Sequence, residues 1–130
     1  MERQKKFYQQ IIRERLKVIL GLVKGGKKIS QLEREMALFA LDILNALQEK
    51  SLSPKESSKF FLKVLYALRY EIDSKLSKEC SDLVNEGILL DEVGTPYGPD
   101  LNLIYNSATK ILERKEVRLK QKFLESLIPG

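Results

Sequence analysis

The chain has 130 residues, 43% of them hydrophobic and 32% charged, with a net charge of +5 and neither histidine nor tryptophan. Such a composition supports a single domain over residues 1–130 and excludes a disordered or disulfide-stapled chain. Without histidine there is no Cys-His or Ser-His catalytic pair, and the commonest metal ligand is missing.

Cys80 is the only cysteine, so no intrachain disulfide can form, and a reducing, cytoplasmic setting is expected. Met1 leads into charged residues rather than a signal-peptide core. The densest apolar stretch, Val18 to Val23, falls far short of the roughly 20 residues that span a bilayer, so no membrane span is expected.

The first helix is predicted from about Glu2 to Val23. Tyr8, Ile11, Ile12, Leu16, Ile19, Leu20 and Val23 recur at three- and four-residue steps on one wide face. Gly25-Gly26 ends it. Its charge is one-sided: residues 1–28 hold nine basic side chains against Glu2 and Glu14, a sum of +7, so the remaining residues sum to −2. Arg3, Lys6, Arg13, Lys17 and Lys24 lie along one stripe, a pattern that suits a phosphate backbone. The same stripe also suits the chain's own acidic stretch: residues 71–100 carry eight acids against Lys75 and Lys78.

A second helix is expected from Ser30, with Ser30 and Glu33 as a capping box and Leu32, Met36, Phe39, Ile43 and Leu47 as its seam. The third has the strongest start signal: Ser53 as N-cap, Pro54 at the first helical position and Glu56 three residues after the cap. Its apolar face reads on through Phe60, Phe61, Val64, Leu65, Leu68, Ile72, Leu76, Cys80, Leu83 and Val84 to a stop at Gly87. Asp73, Ser74 and Ser77 weaken the middle, so the alternative is a break near 74–77. Cys80 falls on the apolar face and reads as a buried, inert thiol.

Residues 87–100 are punctuated by three glycines and two prolines and read as a long connection. Long connections often bind, which makes Asp91, Glu92, Tyr97 and Asp100 a candidate binding element. A winged-helix reading would draw strands at Ile88–Val93 and Leu101–Tyr105. Its recognition helix would then hold Glu79, Asp82 and Glu86, which DNA repels. The fourth helix is predicted to start after an Asp100 N-cap, to use Leu101, Tyr105, Ala108, Leu112, Leu119, Phe123 and Leu127 as its seam, and to stop at Pro129. Lys110, Arg114, Arg118 and Lys122 form a second basic stripe along it.

The expected fold is all-α: a four-helix bundle of antiparallel helices, two shorter N-terminal and two longer C-terminal. Three function classes follow. The first is a non-catalytic protein–protein interaction module that binds a protein partner or itself, as a homodimer. The second is a nucleic-acid-binding protein using the basic stripes. The third is a metal-dependent phosphohydrolase. For that third class, Glu79-x-x-Asp82 resembles one of the two acidic pairs by which helical nucleotide pyrophosphohydrolases hold Mg²⁺, but no second pair accompanies it. No cofactor and no metal-ligand set is read from the sequence.

Overall fold

The computed structural model describes residues 2–26, 28–69 and 75–114. These form five helices: α1 (Glu2–Gly25), α2 (Ile29–Gln48), α3 (Pro54–Leu68), α4 (Lys78–Ile88) and α5 (Leu101–Leu112). A short 3₁₀ turn, Leu89–Glu92, follows α4. No strand occurs among the described residues, so the segments drawn as wing strands are helix, 3₁₀ turn and loop.

α2 is the hub. It packs against α1, α4 and α5, while α1 also rests on α3, and α4 on α5 and α3. Leu32, Met36, Phe39 and Ile43 of its seam are buried, with Ala37, Ala40 and Ala46 beside them, while Leu47 is only half-buried. Phe39 stands edge-on to Phe60 at 6.5 Å and to Phe61 at 5.3 Å between ring centroids. That edge-to-face geometry pairs the positive ring rim with the negative ring face. Ile12, Leu16 and Ile19 of α1 close the core from one side. Cys80, Leu83, Val84, Ile104, Ala108 and Ile111 of α4 and α5 complete it.

The long third helix divides in two. α3 ends at Leu68, where Arg69 takes a left-handed φ of +52°, and α4 starts afresh after Ser77. The Ser77 hydroxyl accepts the Cys80 N–H at 3.2 Å, an N-cap that begins a helix and cannot sit inside one. The predicted helix is thus interrupted between Leu68 and Lys78, a wider gap than the alternative break near 74–77, and the described residues form five helices where four were expected. Residues 70–74 lie outside the described residues, as does 115–130, which includes the expected end of the last helix.

Two further boundaries differ from expectation. α2 begins at Ile29 behind Lys28, with no side-chain cap, so the Ser30–Glu33 capping box does not form. Glu33 points into the interior instead. Gly87 does not stop a helix either: α4 runs through it to Ile88. A Cβ at Gly87 would lie 2.4 Å from the Phe61 ring, so the missing side chain is what lets α3 and α4 approach. The Ser58 hydroxyl donates to the Ile88 carbonyl at 2.5 Å and ties the same two helices at the next turn.

The other signals hold. Ser53 and Glu56 form the reciprocal capping box of α3, Pro54 is its first residue, and Asp100 caps α5 by accepting the Leu103 N–H at 3.0 Å. Gly26, with φ +61°, follows α1 in the left-handed conformation that glycine adopts without strain.

Phe61 is 1% exposed and cannot swing away from a new methyl group. Gly87→Ala should therefore lower unfolding free energy by about 1–3 kcal/mol through overpacking. Urea denaturation followed by circular dichroism checks this, and a variant as stable as the parent would show that α3 and α4 are not held so closely.

Candidate functional site: a polar clasp and two surfaces

The first polar constellation is built around Glu33, which is 2% exposed on α2. Ser77, just before α4, donates its backbone N–H to one Glu33 oxygen at 2.8 Å and its hydroxyl to the other at 2.6 Å. Arg114, past the end of α5, donates Nη1 to Glu33. Its Nη2 reaches the Ser77 Oγ at 2.6 Å and Glu79 at 3.2 Å. The Ser77 hydroxyl thus donates once and accepts twice, its full capacity. Among the described residues, no buried side-chain nitrogen or oxygen lacks a partner.

The charges follow from this geometry. A hydrogen bond from its own backbone N–H, in the first turn of α4, and then Arg114 hold the Glu79 carboxyl below the ordinary carboxylate range. Partial burial opposes the Arg114 charge, but Glu33 and Glu79 outweigh it and raise its pKa. Burial, reinforced by Glu33, pushes the Cys80 thiol far above the usual thiol range, so it stays protonated. Its Sγ lies 3.7 Å from the Met36 sulfur. A protonated thiol in the core is no nucleophile.

A second clasp joins α1 to α2. Arg15 donates Nε to Asp42 at 2.8 Å and Nη1 to Glu35 at 2.9 Å. Like Arg114, it keeps its charge because two carboxylates outweigh the cost of partial burial.

The basic candidates separate. Lys6, Arg13, Lys17 and Lys24 are exposed along α1. Arg3 belongs to the first turn of α1, and Arg118 and Lys122 lie outside the described residues. Arg114 is committed to the clasp. Lys110 is exposed on α5, one turn before Arg114, and α5 packs on α4 and α2. Lys110 and Arg114 thus do not extend the α1 stripe.

The loop candidates are mostly architectural. Asp100 caps α5, and its backbone N–H donates to Glu86 at 2.9 Å. Asp91 and Glu92 lie exposed in the 3₁₀ turn, and the Glu92 carbonyl accepts both the Thr95 N–H and hydroxyl. A Cβ on Gly98 would meet that same carbonyl at 2.4 Å. Tyr97 projects from this braced loop and is 80% exposed. For the acidic pair, Glu79 is engaged by Arg114, and among the described residues no three acidic or cysteine side chains are placed to share a metal ion.

Two of the surface concavities combine apolar or aromatic side chains from several helices. One is an apolar groove of about 820 Å³ where the end of α2, the start of α3 and the start of α5 meet. Leu44, Leu47 and Leu52 line it, with Val93, Leu101 and Tyr105 at its mouth. Leu101 is 44% exposed and Tyr105 56%, a large apolar exposure for two neighbouring turns of one helix. The other concavity, of about 580 Å³, lies between the C-terminal ends of α1 and α3 and places Tyr66 with Lys24 and Arg69. The sequence shows no interleaving of aromatic and basic residues. The fold creates it across two helices.

No protein-family model matches this chain, and no curated protein or solved structure is detectably similar to it. Among the described residues, no helix is long and apolar enough to cross a membrane.

Removing Arg114 would strand a buried carboxylate, and Arg114→Ala should cost about 3 kcal/mol, the scale for breaking a buried pair. Glu33→Met with Arg114→Met should cost less than that single change, because neither charge is then left alone; a double-mutant cycle by urea denaturation measures the coupling. The pH dependence has a definite sign. The Glu79 pKa is lowered on folding, so its stabilisation is complete above the unfolded value of 4.5 and is lost as pH falls through the depressed folded value. Stability measured from pH 6 downwards should fall less steeply in Glu79→Gln than in the parent. Parallel curves would remove Glu79 from the clasp.

Proposed function

We propose that this protein is a non-catalytic interaction module that self-associates as a homodimer through the apolar groove between α2, α3 and α5. The observation that carries this reading is the exposure of Val93, Leu101 and Tyr105 over the half-buried Leu44 and Leu47. Apolar side chains clustered at a concavity gain by leaving water, and a groove gives them walls to fit. The rim suits a second copy in particular. It carries Lys5 and Lys50 together with Glu56, so a two-fold axis can set lysines of one copy against the glutamate of the other. A closed two-fold contact is self-complementary in just this sense.

No side chain in the groove has a chemistry beyond contact. Its polar members are two lysines, a glutamate, serines and amides at the rim, with no nucleophile and base held together.

Size-exclusion chromatography with light scattering tests the reading. The parent should give twice the 15.0 kDa chain mass at tens of micromolar, with little change between low and high salt, because the contact is apolar. The pair Leu101→Lys and Tyr105→Lys, both at exposed positions, should return it to the chain mass with an unchanged helical spectrum. A parent that remains at 15.0 kDa at millimolar concentration would overturn the proposal.

A further inference from the structure

The charges of α1 are sorted by direction. Arg15 turns to α2 and is consumed by Glu35 and Asp42. Lys6, Arg13, Lys17 and Lys24 point to solvent, and at 3.6 residues per turn they fall within about 40° of one another. The stripe runs along the side of α1 next to α3. Gln9, which lies between the stripe and the buried face, fixes that side by reaching Glu56 of α3 at 3.4 Å. Within the stripe, Glu14 pairs with Lys17 at 3.6 Å; both side chains are highly exposed, and such a pair is weak and easily exchanged.

The stripe ends in the concavity between α1 and α3. Leu20 and Val23 line it with Tyr66, Lys24 and Arg69. Tyr66 is 73% exposed, so the faces of its ring are open to a partner. Two acids border the stripe, Glu14 on Lys17 and Glu56 on Gln9; the larger acidic group lies elsewhere. Asp82, Glu86, Asp91 and Glu92 belong to α4 and its following turn, which pack on α5, α3 and α2, whereas α1 packs on α2 and α3. Lys6, Arg13, Lys17 and Lys24 outnumber Glu14 and Glu56 on the α1 flank, which therefore presents a net basic field.

We propose that this flank binds single-stranded nucleic acid, with Lys6, Arg13, Lys17, Lys24 and Arg69 neutralising phosphates and Tyr66 stacking on a base. From Lys6 to Lys24 the stripe extends about 27 Å at the helical rise, long enough for several nucleotides. The tyrosine selects the single strand. A duplex keeps its bases stacked on one another, whereas a single strand can turn one out onto an aromatic face. Stacking is indifferent to base identity and to the sugar, so DNA and RNA strands should both bind without strong sequence preference.

Fluorescence anisotropy tests this with labelled twenty-nucleotide oligo-dT and oligo-U and a twenty-base-pair duplex, from about 50 to 300 mM salt. Five neutralised phosphates give a slope of log K against log[salt] near −3.5 on single strands. Arg13→Ala with Lys17→Ala should bring it to about −2. Tyr66→Ala should weaken single-strand binding at least about fivefold, leave the slope unchanged and remove the preference over duplex. Lys110→Ala, on α5, should change none of these. All the substituted side chains are exposed, so circular dichroism should report an intact fold throughout. Absence of binding at 50 mM salt overturns the proposal. So does binding that ignores Tyr66→Ala, or that responds equally to Lys110→Ala. Salt-sensitive self-association that occupies the flank and excludes the oligonucleotides also overturns it, because the stripe would then serve the acidic face of a second copy.

Discussion

The fold depends on one buried carboxylate. The Glu33 side chain is almost without solvent beside the apolar seam residues of α2, a placement whose cost is offset only if partners converge on it. They come from two places far apart in sequence. Ser77 is 44 residues away and Arg114 is 81, and the three meet where α2 begins, α4 begins and α5 ends. The contact also explains why α4 exists as a separate helix. A hydroxyl that caps a helix must sit outside its first turn, and Ser77 is held there by Glu33 on its N–H and Arg114 on its oxygen. An uninterrupted helix through residue 77 would leave the Glu33 carboxylate without two of its three donors.

The consequence for function is rigidity at a distance. Arg114 pins α5 at its C-terminal end. The bond from the Asp100 N–H to Glu86, together with the Asp100 cap, pins its N-terminal end to α4. The twelve residues between are fixed at both ends, so Leu101 and Tyr105 are presented by a held helix and not by a fraying one. Side chains that lose little freedom on docking keep more of the free energy of apolar contact. In the proposed dimer the clasp would steady the groove from the opposite end of α5 without touching it.

The elements that could be read from the sequence were those decided locally. Ser53-Pro54-Lys55-Glu56 starts a helix through bonds that its own four residues make, and Asp100 and the 3.6-residue seams of α1 and α2 follow from the same short-range rules. Ser30-x-x-Glu33 carried an equally good local signal and misled, because Glu33 has stronger partners across the fold than at its own helix start. Its position gave only a weak mark of this: at about 100° per residue Glu33 falls about 40° beyond the edge of the seam, at the border of the buried face. Gly87 misled in the same way, since its lack of a side chain serves the Phe61 ring and not a helix end. Arg114 looked like one of four equivalent cations because spacing along a helix cannot say which of them faces an acid. The Lys24, Tyr66 and Arg69 grouping had no sequence signal at all, being made by two helices whose contact is tertiary.

The two proposed surfaces share a neighbour, and that links them. Lys5 stands on the rim of the apolar groove and Lys6, the next residue of α1, begins the basic stripe. The first turns of α1 thus lie at the join between a face suited to a second copy and a face suited to a polyanion. In the proposed pair, the two-fold axis would carry both basic flanks on one particle, each leading away from the shared groove. A strand held by one flank would meet the other at a local concentration set by the span between them, and not by the concentration in bulk. Moderate contacts, a handful of phosphates and one stacked base on each copy, would then suffice for binding that neither copy achieves alone. The proposed self-association through apolar side chains and the proposed salt-dependent capture by lysines and arginines would then be two parts of one device, with the Glu33 clasp holding α5 in place beneath the groove.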